Sequence, residues 1–109
     1  DYIATLTARA DLIRRMNTLT APYDAVVLPT CAIIAPAIKA MQDRDVSQRT
    51  NLLLLRNTAM GNFLDRCAAS IPCHAPGEAP VGLTVMGETG GDRRLLAVAA
   101  AVEAALKTA

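Results

Sequence analysis

Two short apolar runs, Ala68–Ala75 (AASIPCHA) and Val81–Met86 (VGLTVM), flank the segment Pro76-Gly77-Glu78-Ala79-Pro80, and this arrangement constrains the chain more than any other. Proline presets φ and glycine accepts φ > 0, so Pro76-Gly77 suits the two central positions of a type II turn. The runs are therefore expected to be strands joined in a hairpin-like way. Pro72 cannot donate to a ladder, which places the first strand at an edge or a bulge. The whole stretch Asn62–Gly87 then reads as helix end, strand, turn and strand, with the remainder of the chain as support.

The flanking segments supply helices and one more strand. Residues 1–20 carry Ile3, Leu6, Ala10, Ile13 and Met16 or Asn17 at helical spacing, with Arg9, Arg14 and Arg15 mostly off that stripe. Asp11 and Arg15 stand four apart, as a surface pair would. Ala21-Pro22-Tyr23 ends the helix, because the residue before proline avoids the helical region. Asp24–Pro29 (DAVVLP) has the pattern of a short buried strand, and Thr30–Ala40 (TCAIIAPAIKA), interrupted by Pro36, reads as an irregular covered loop. Met41–Arg49 is polar and expected to be an exposed loop. Thr50 or Asn51 can cap a helix over about Leu52–Leu64. Leu52–Leu55 is apolar around a full turn, so that helix should need burial on more than one side. Glu88–Gly91 forms a glycine-rich turn. Asp92 is expected to cap a last helix with Leu95, Val98, Ala99, Val102 and Leu106 on one face and Arg93, Arg94, Glu103 and Lys107 on the other.

With 109 residues the chain makes at most one domain and is short for a complete α/β enzyme. It begins with Asp1 rather than Met, as a processed, trimmed or excised chain would. The net charge is +1 with the signs interspersed, which supplies no basic surface for nucleic acid and none for an anionic membrane. No apolar run reaches the length of a membrane span, and no leader pattern is evident. Cys31, Cys67 and Cys73 lack paired spacing, which fits reduced thiols in a cytoplasmic setting.

Few residues here are arranged for chemistry. Cys73 and His74 suggest a nucleophile with its base, but adjacent residues of a strand point to opposite faces. The favoured reading is a buried thiol beside a polar strand-end histidine. A single histidine with scattered cysteines does not make a metal site. Asp43 and Asp45 with Arg44 read as a solvated charge cluster. Gly87, Gly90 and Gly91 match neither the dinucleotide fingerprint nor the P-loop. Neither Ser47 nor Ser70 lies in a G-x-S-x-G elbow.

Taken in order, several segments resemble the C-terminal part of the amidase signature family. Tyr23–Pro36 (YDAVVLPTCAIIAP) matches the family's D-x-x-x-x-P-T…A-P. Asn62, then Ser70-Ile71-Pro72, then Ala79–Gly87 (APVGLTVMG) against P-x-G-L-Q-x-x-G, continue the match. It ends with Ala99 to Glu103 as Ala-x-x-x-E. Where the common pattern places Gly and Pro between the Asn and the S-V-P strand, this chain has Asp65 and Cys67. That is closer to some bacterial amidases and allophanate-hydrolase-like members than to the glutamyl-tRNA amidotransferase branch.

The resemblance implies an α/β fold with helices packed on a mixed β-sheet, residues 1–109 forming the C-terminal fragment of an amidase signature domain. It implies an amide hydrolase of the Ser/cis-Ser/Lys type whose triad lies in the N-terminal part. This chain would then hold no catalytic residue, no metal and no cofactor. The channel-lining positions of the family fall on Leu52, Leu55, Arg56 and Ala59, whose spacing gives them one helical face. Leu55 favours an apolar or small-amide substrate, and an inward Arg56 would favour a carboxylate. The partners implied are a small amide substrate and the rest of the amidase chain, or another copy in a homo-oligomer, covering the apolar helix. The competing reading is a stand-alone, non-catalytic interaction domain that keeps the amidase-like fold piece.

Overall fold

The computed structural model describes residues 1–108. Helix α1 (Tyr2–Thr20) leads to strand β1 (Val26–Pro29), a 3-10 turn (Ile38–Gln42), helix α2 (Arg44–Phe63), strands β2 (Ala68–Pro72) and β3 (Gly82–Met86), and helix α3 (Asp92–Thr108). The strands form one sheet in the order β1-β3-β2. Val26 pairs with Met86 on one side of β3 and Ala68 pairs with Met86 on the other, both antiparallel. The α/β class is as expected, whereas the pairing expected to be mixed is antiparallel in both ladders of the described strands.

The hairpin follows from its turn. Glu78 N–H donates to the Ala75 carbonyl at 3.1 Å, and Gly77, at φ +87°, occupies the left-handed position that the type II turn requires. Pro72 and Pro29 both lie on outer strands, where their missing donors break no ladder. Antiparallel pairing sorts the side chains into two faces. Ala69, Ile71 and Val85 form one face, and α3 packs on it through Leu95 and Ala99 with Val98 and Val102 around them. Val85 is 0% exposed and is the centre of this core. The other face carries Val26, Leu28, Ala68, Ser70, Gly82, Thr84 and Met86. The Met86 end of this face lies under α2, where the methyl of Met86 reaches to within 3.4 Å of a Cβ built on Gly61.

Several sequence expectations are corrected by local capping. Helix α2 starts eight residues before Leu52, because the Asp43 carboxylate accepts from the N–H groups of Asp45 and Val46 at 2.9 and 3.0 Å. Asp43, Arg44 and Asp45 are solvated as expected but form a helix start rather than a loop, and Thr50 is a buried interior residue. The Thr30–Ala40 loop is largely uncovered: Ile34 is 67% and Ile38 87% exposed. On α1, Asp11 pairs with Arg14 rather than Arg15. Arg9 is not a bystander, since its Nε donates to the Phe63 carbonyl at 2.8 Å and its guanidinium lies 5.7 Å from the Phe63 ring centroid, capping the end of α2. Asp92 is the first helical residue of α3, whose opening bond runs from Leu95 N–H to the Gly91 carbonyl at 2.9 Å. Arg94 donates to Asp24 at 2.8 Å, and this hydrogen bond raises its pKa further.

The junction from α2 into β2 explains one departure in the sequence. Arg66 N–H bonds the Gly61 carbonyl at 3.0 Å and Asp65 N–H reaches the Asn62 carbonyl at 3.4 Å, the paired bonds of a Schellman motif. Asp65 stands at φ +57°, where most helices place glycine. Beyond it, Arg66 Nη2 donates to Asn17 Oδ1 at 2.9 Å and Thr20 Oγ1 at 2.6 Å, tying the end of α1 to the start of β2. Asp65→Gly removes the steric cost of a left-handed residue and is expected to stabilise the protein by about 1 kcal/mol, read as a higher urea midpoint at unchanged m value.

Candidate functional site

On the sheet face opposite α3, three hydroxyls meet where an apolar surface would be ordinary. Thr30 follows β1 directly, and its N–H donates to the Gly82 carbonyl at 2.8 Å, extending the ladder by one residue. Its Oγ1 lies 2.6 Å from Ser70 Oγ on β2 and 2.8 Å from Thr84 Oγ1 on β3. Strands β1 and β2 are on opposite sides of β3, so their side chains would normally be separated by a β3 side chain. Gly82 removes that barrier. A Cβ there would stand 2.5 Å from Ser70 Oγ and 2.8 Å from Thr30 Oγ1.

The hydroxyl cluster lies in the floor of a cleft of about 370 Å³ lined by Thr30 and the Cys31–Ile34 segment, by Ser70, Pro72 and His74, and by Pro80–Gly82. Asn57 on α2 donates from Nδ2 to the Pro29 carbonyl at 2.8 Å, anchoring α2 beside the start of the lining loop. The rim is held by the neck of the hairpin. Cys73 N–H donates to the Val81 carbonyl at 2.9 Å, and Val81 N–H donates to His74 Nδ1 at 3.2 Å. His74 Nδ1 lies 3.2 Å from the Val81 carbonyl as well, so the ring contacts both polar groups of Val81. Among the described residues no carboxylate, ammonium or guanidinium lines this cleft.

The alternation argument applied to Cys73 and His74 is corrected here, because β2 ends at Pro72. Both side chains turn to the same residue: Cys73 Sγ approaches the Val81 carbonyl at 3.6 Å, and His74 holds the Val81 amide. Both are exposed, so the thiol expected to be buried is not, and each closes the hairpin neck.

The expected substrate-facing residues occupy a different surface. Thr50, Asn57, Gly61 and Leu64 share the side of α2 that meets the rest of the molecule. By helical geometry Leu52, Leu55, Arg56 and Ala59 lie on the other side. Leu52 is 67% and Leu55 54% exposed, and neither lines the cleft. Arg56 and Ala59 border an apolar groove of about 500 Å³ between α1 and α2, with Leu12, Met16, Met60 and Phe63. Sequence reasoning missed the hydroxyl cluster. Its signal was the match in period of Ser70 and Thr84 to the same face of the hairpin, opposite a glycine.

Among the described residues no group of three or more His, Cys, Asp or Glu is placed to hold a metal ion, and no helix is long and apolar enough to cross a membrane.

The amidase family model matches residues 1–96, nearly the whole chain, and the protein belongs to the amidase family. It is 31% identical over 106 residues to fatty acid amide hydrolases of Medicago truncatula and Arabidopsis thaliana, which covers 94% of this chain and 18% of each relative. A 2-amino-5-chloromuconic acid deaminase of Comamonas testosteroni is 29% identical over 82 residues, 74% of this chain and 18% of that protein. The chain therefore spans less than a fifth of the length of these relatives. No solved structure matches.

Gly82→Ala is expected to force the Thr30 and Ser70 hydroxyls apart, at a cost of about 1–3 kcal/mol. Hydrogen exchange should show faster exchange of the Thr30 amide in the variant, with α3 protection retained relative to it.

Proposed function

We propose that this chain is the C-terminal piece of an amide-bond hydrolase of the Ser/cis-Ser/Lys type, supplying scaffold and part of the substrate-site wall while the triad lies elsewhere in the polypeptide. The observation that carries this reading, beside the family membership, is uncovered surface. The chain exposes 8046 Å², whereas a compact monomer of its 11.5 kDa exposes about 5800 Å². The surplus of roughly 2200 Å² alone matches the area of a permanent subunit interface. The radius of gyration is 16.5 Å against about 13 Å for a compact domain of this length. The surplus includes large apolar groups, among them Leu52, Leu55, Ile34 and Ile38. A remainder of the same polypeptide, packed over α2 and the Thr30–Ala40 loop, accounts for this surface. Carrying few groups for chemistry of its own, the chain fits a supporting part.

Within this reading the outer face of α2, Leu52, Leu55, Arg56 and Ala59, forms the wall of the substrate site and takes an apolar or small amide. The relatives named for amide hydrolysis and for deamination both release nitrogen from carbon, which is consistent with such a reaction class. The protein is read as cytoplasmic and free of cofactors.

Two experiments test the proposal. Residues 1–109 alone are expected to show no amide hydrolysis, and turnover above background overturns the division of labour. In the full-length enzyme, Leu55→Asp is expected to lower kcat/KM for apolar amides by roughly tenfold or more, the loss of an apolar contact worth about 1.5 kcal/mol. An unchanged substrate profile removes the α2 face from the site.

A further inference from the structure

We infer that His74 is a proton-operated link in the β2–β3 hairpin: its imidazole takes the place of a backbone carbonyl in the last rung of the ladder, and protonation of the ring releases the Val81 amide. This link belongs to the hairpin itself and is independent of the hydrolytic reading.

The register of the hairpin reveals the substitution. Pro72 pairs with Gly82, so Cys73 stands opposite Val81. Gly87 N–H donates to the Cys67 carbonyl at 2.9 Å. Every second pair from there, Ala69 with Val85, Ile71 with Leu83 and then Cys73 with Val81, is one whose residues should exchange two bonds. At Cys73 and Val81 one of the two is in place, from Cys73 N–H to the Val81 carbonyl at 2.9 Å. The return bond goes elsewhere: Val81 N–H donates to His74 Nδ1 at 3.2 Å rather than to the Cys73 carbonyl. Nδ1 is also 3.2 Å from the Val81 carbonyl, so the supply of partners decides which contact the neutral ring makes. That carbonyl already has the Cys73 amide and, at 3.6 Å, the Cys73 thiol, whereas among the described residues the Val81 N–H has no acceptor but Nδ1. Satisfying this donor gives neutral His74 the accepting role, with its own proton on Nε2.

Protonation inverts the exchange. A charged imidazole carries N–H on both nitrogens and has no lone pair to offer. Nδ1 then becomes a donor to the Val81 carbonyl beside it, and the Val81 N–H loses its partner. The rung keeps its Cys73 bond and opens on the amide side. His74 is exposed, so protons reach it, and an imidazole ordinarily charges between about pH 5 and 8. The other titratable groups around the ring are Cys73 beside it, Glu78 in the turn, whose carboxylate accepts from Ala75 N–H at 3.3 Å, and Cys31 on the loop across the cleft. Carboxylates ordinarily titrate below that range and thiols above it, so a change centred within it reports the ring.

The test uses NMR on the full-length protein, isotopically labelled at the nitrogens of valine and histidine. An N–H···N bond transmits a scalar coupling between its two nitrogens. Such a coupling between Val81 N and His74 Nδ1 is expected above the titration of the ring and should vanish below it. Exchange protection of the Val81 amide, measured against that of Val85, is expected to fall about three- to tenfold as the ring charges, the range for loss of one neutral hydrogen bond. His74→Asn, whose Oδ1 can accept from the same amide at any pH, should keep the protection and abolish its pH dependence. Glu78→Gln should leave that dependence unchanged. Absence of the coupling at every pH, or a pH dependence that survives His74→Asn or disappears in Glu78→Gln, overturns the inference. Amide turnover enters none of these readouts, so failure of the hydrolytic reading would leave their outcome unchanged.

Discussion

Pairing of β3 on both edges is the constraint on which the rest of the molecule depends. A central strand has its backbone groups satisfied from two sides, so its side chains are fixed in alternation to two faces. Val85 and its neighbours Ile71 and Ala69 are committed to α3, and Thr84, Gly82 and Met86 to the opposite face. A slip of β3 by one residue would exchange its two sets, setting Val85 against the hydroxyls and taking it away from Leu95 and Ala99. The one glycine of this strand is placed where its neighbours need the space. Through Gly82 the two outer strands reach each other, and the cleft beside it exists for that reason.

The two sides of the sheet differ in how complete they are. The α3 side holds the apolar core of Ile71, Val85, Leu95 and Ala99. The other side meets α2 at Met86 and, through Asn57, at the Pro29 carbonyl, and carries beside these contacts the cleft walled by the loop after β1. Helix α2 itself presents leucines outward, and α1 has no buried residue along its length. Apolar surface of this extent is costly in water and is normally resolved by packing. Membership of the amidase family, over less than a fifth of the relatives' length, supplies the context in which such faces would be covered.

Elements with strong local signals were legible before any coordinates. The Pro76-Gly77 turn, the α3 stripe and the end of α1 before Pro22 each rest on one or two residues whose backbone preferences are decisive. The α2 start was not legible, because Arg44–Asn51 has no apolar stripe and its helix depends on a single capping carboxylate, Asp43. Arg9 could be read only as lying off the apolar stripe of α1, yet it bonds carbonyls at the end of a helix more than fifty residues away. Asp65 was visible only as a departure from a pattern; the left-handed φ of +57° gives that departure its physical meaning. For the site, the face shared by Leu52, Leu55, Arg56 and Ala59 could be read from spacing, but which way that face points could not.

By itself the sequence determined the local elements, the hairpin and the family, since these follow from φ preferences, hydrophobic period and ordered motifs along the chain. Tertiary structure alone decided the order β1-β3-β2, the side of the sheet that α3 covers, and the meeting of Thr30, Ser70 and Thr84. Residues forty and fifty-four positions apart come within hydrogen-bond distance only when three strands are in register. Register is a property of pairing between segments, and no single segment encodes it.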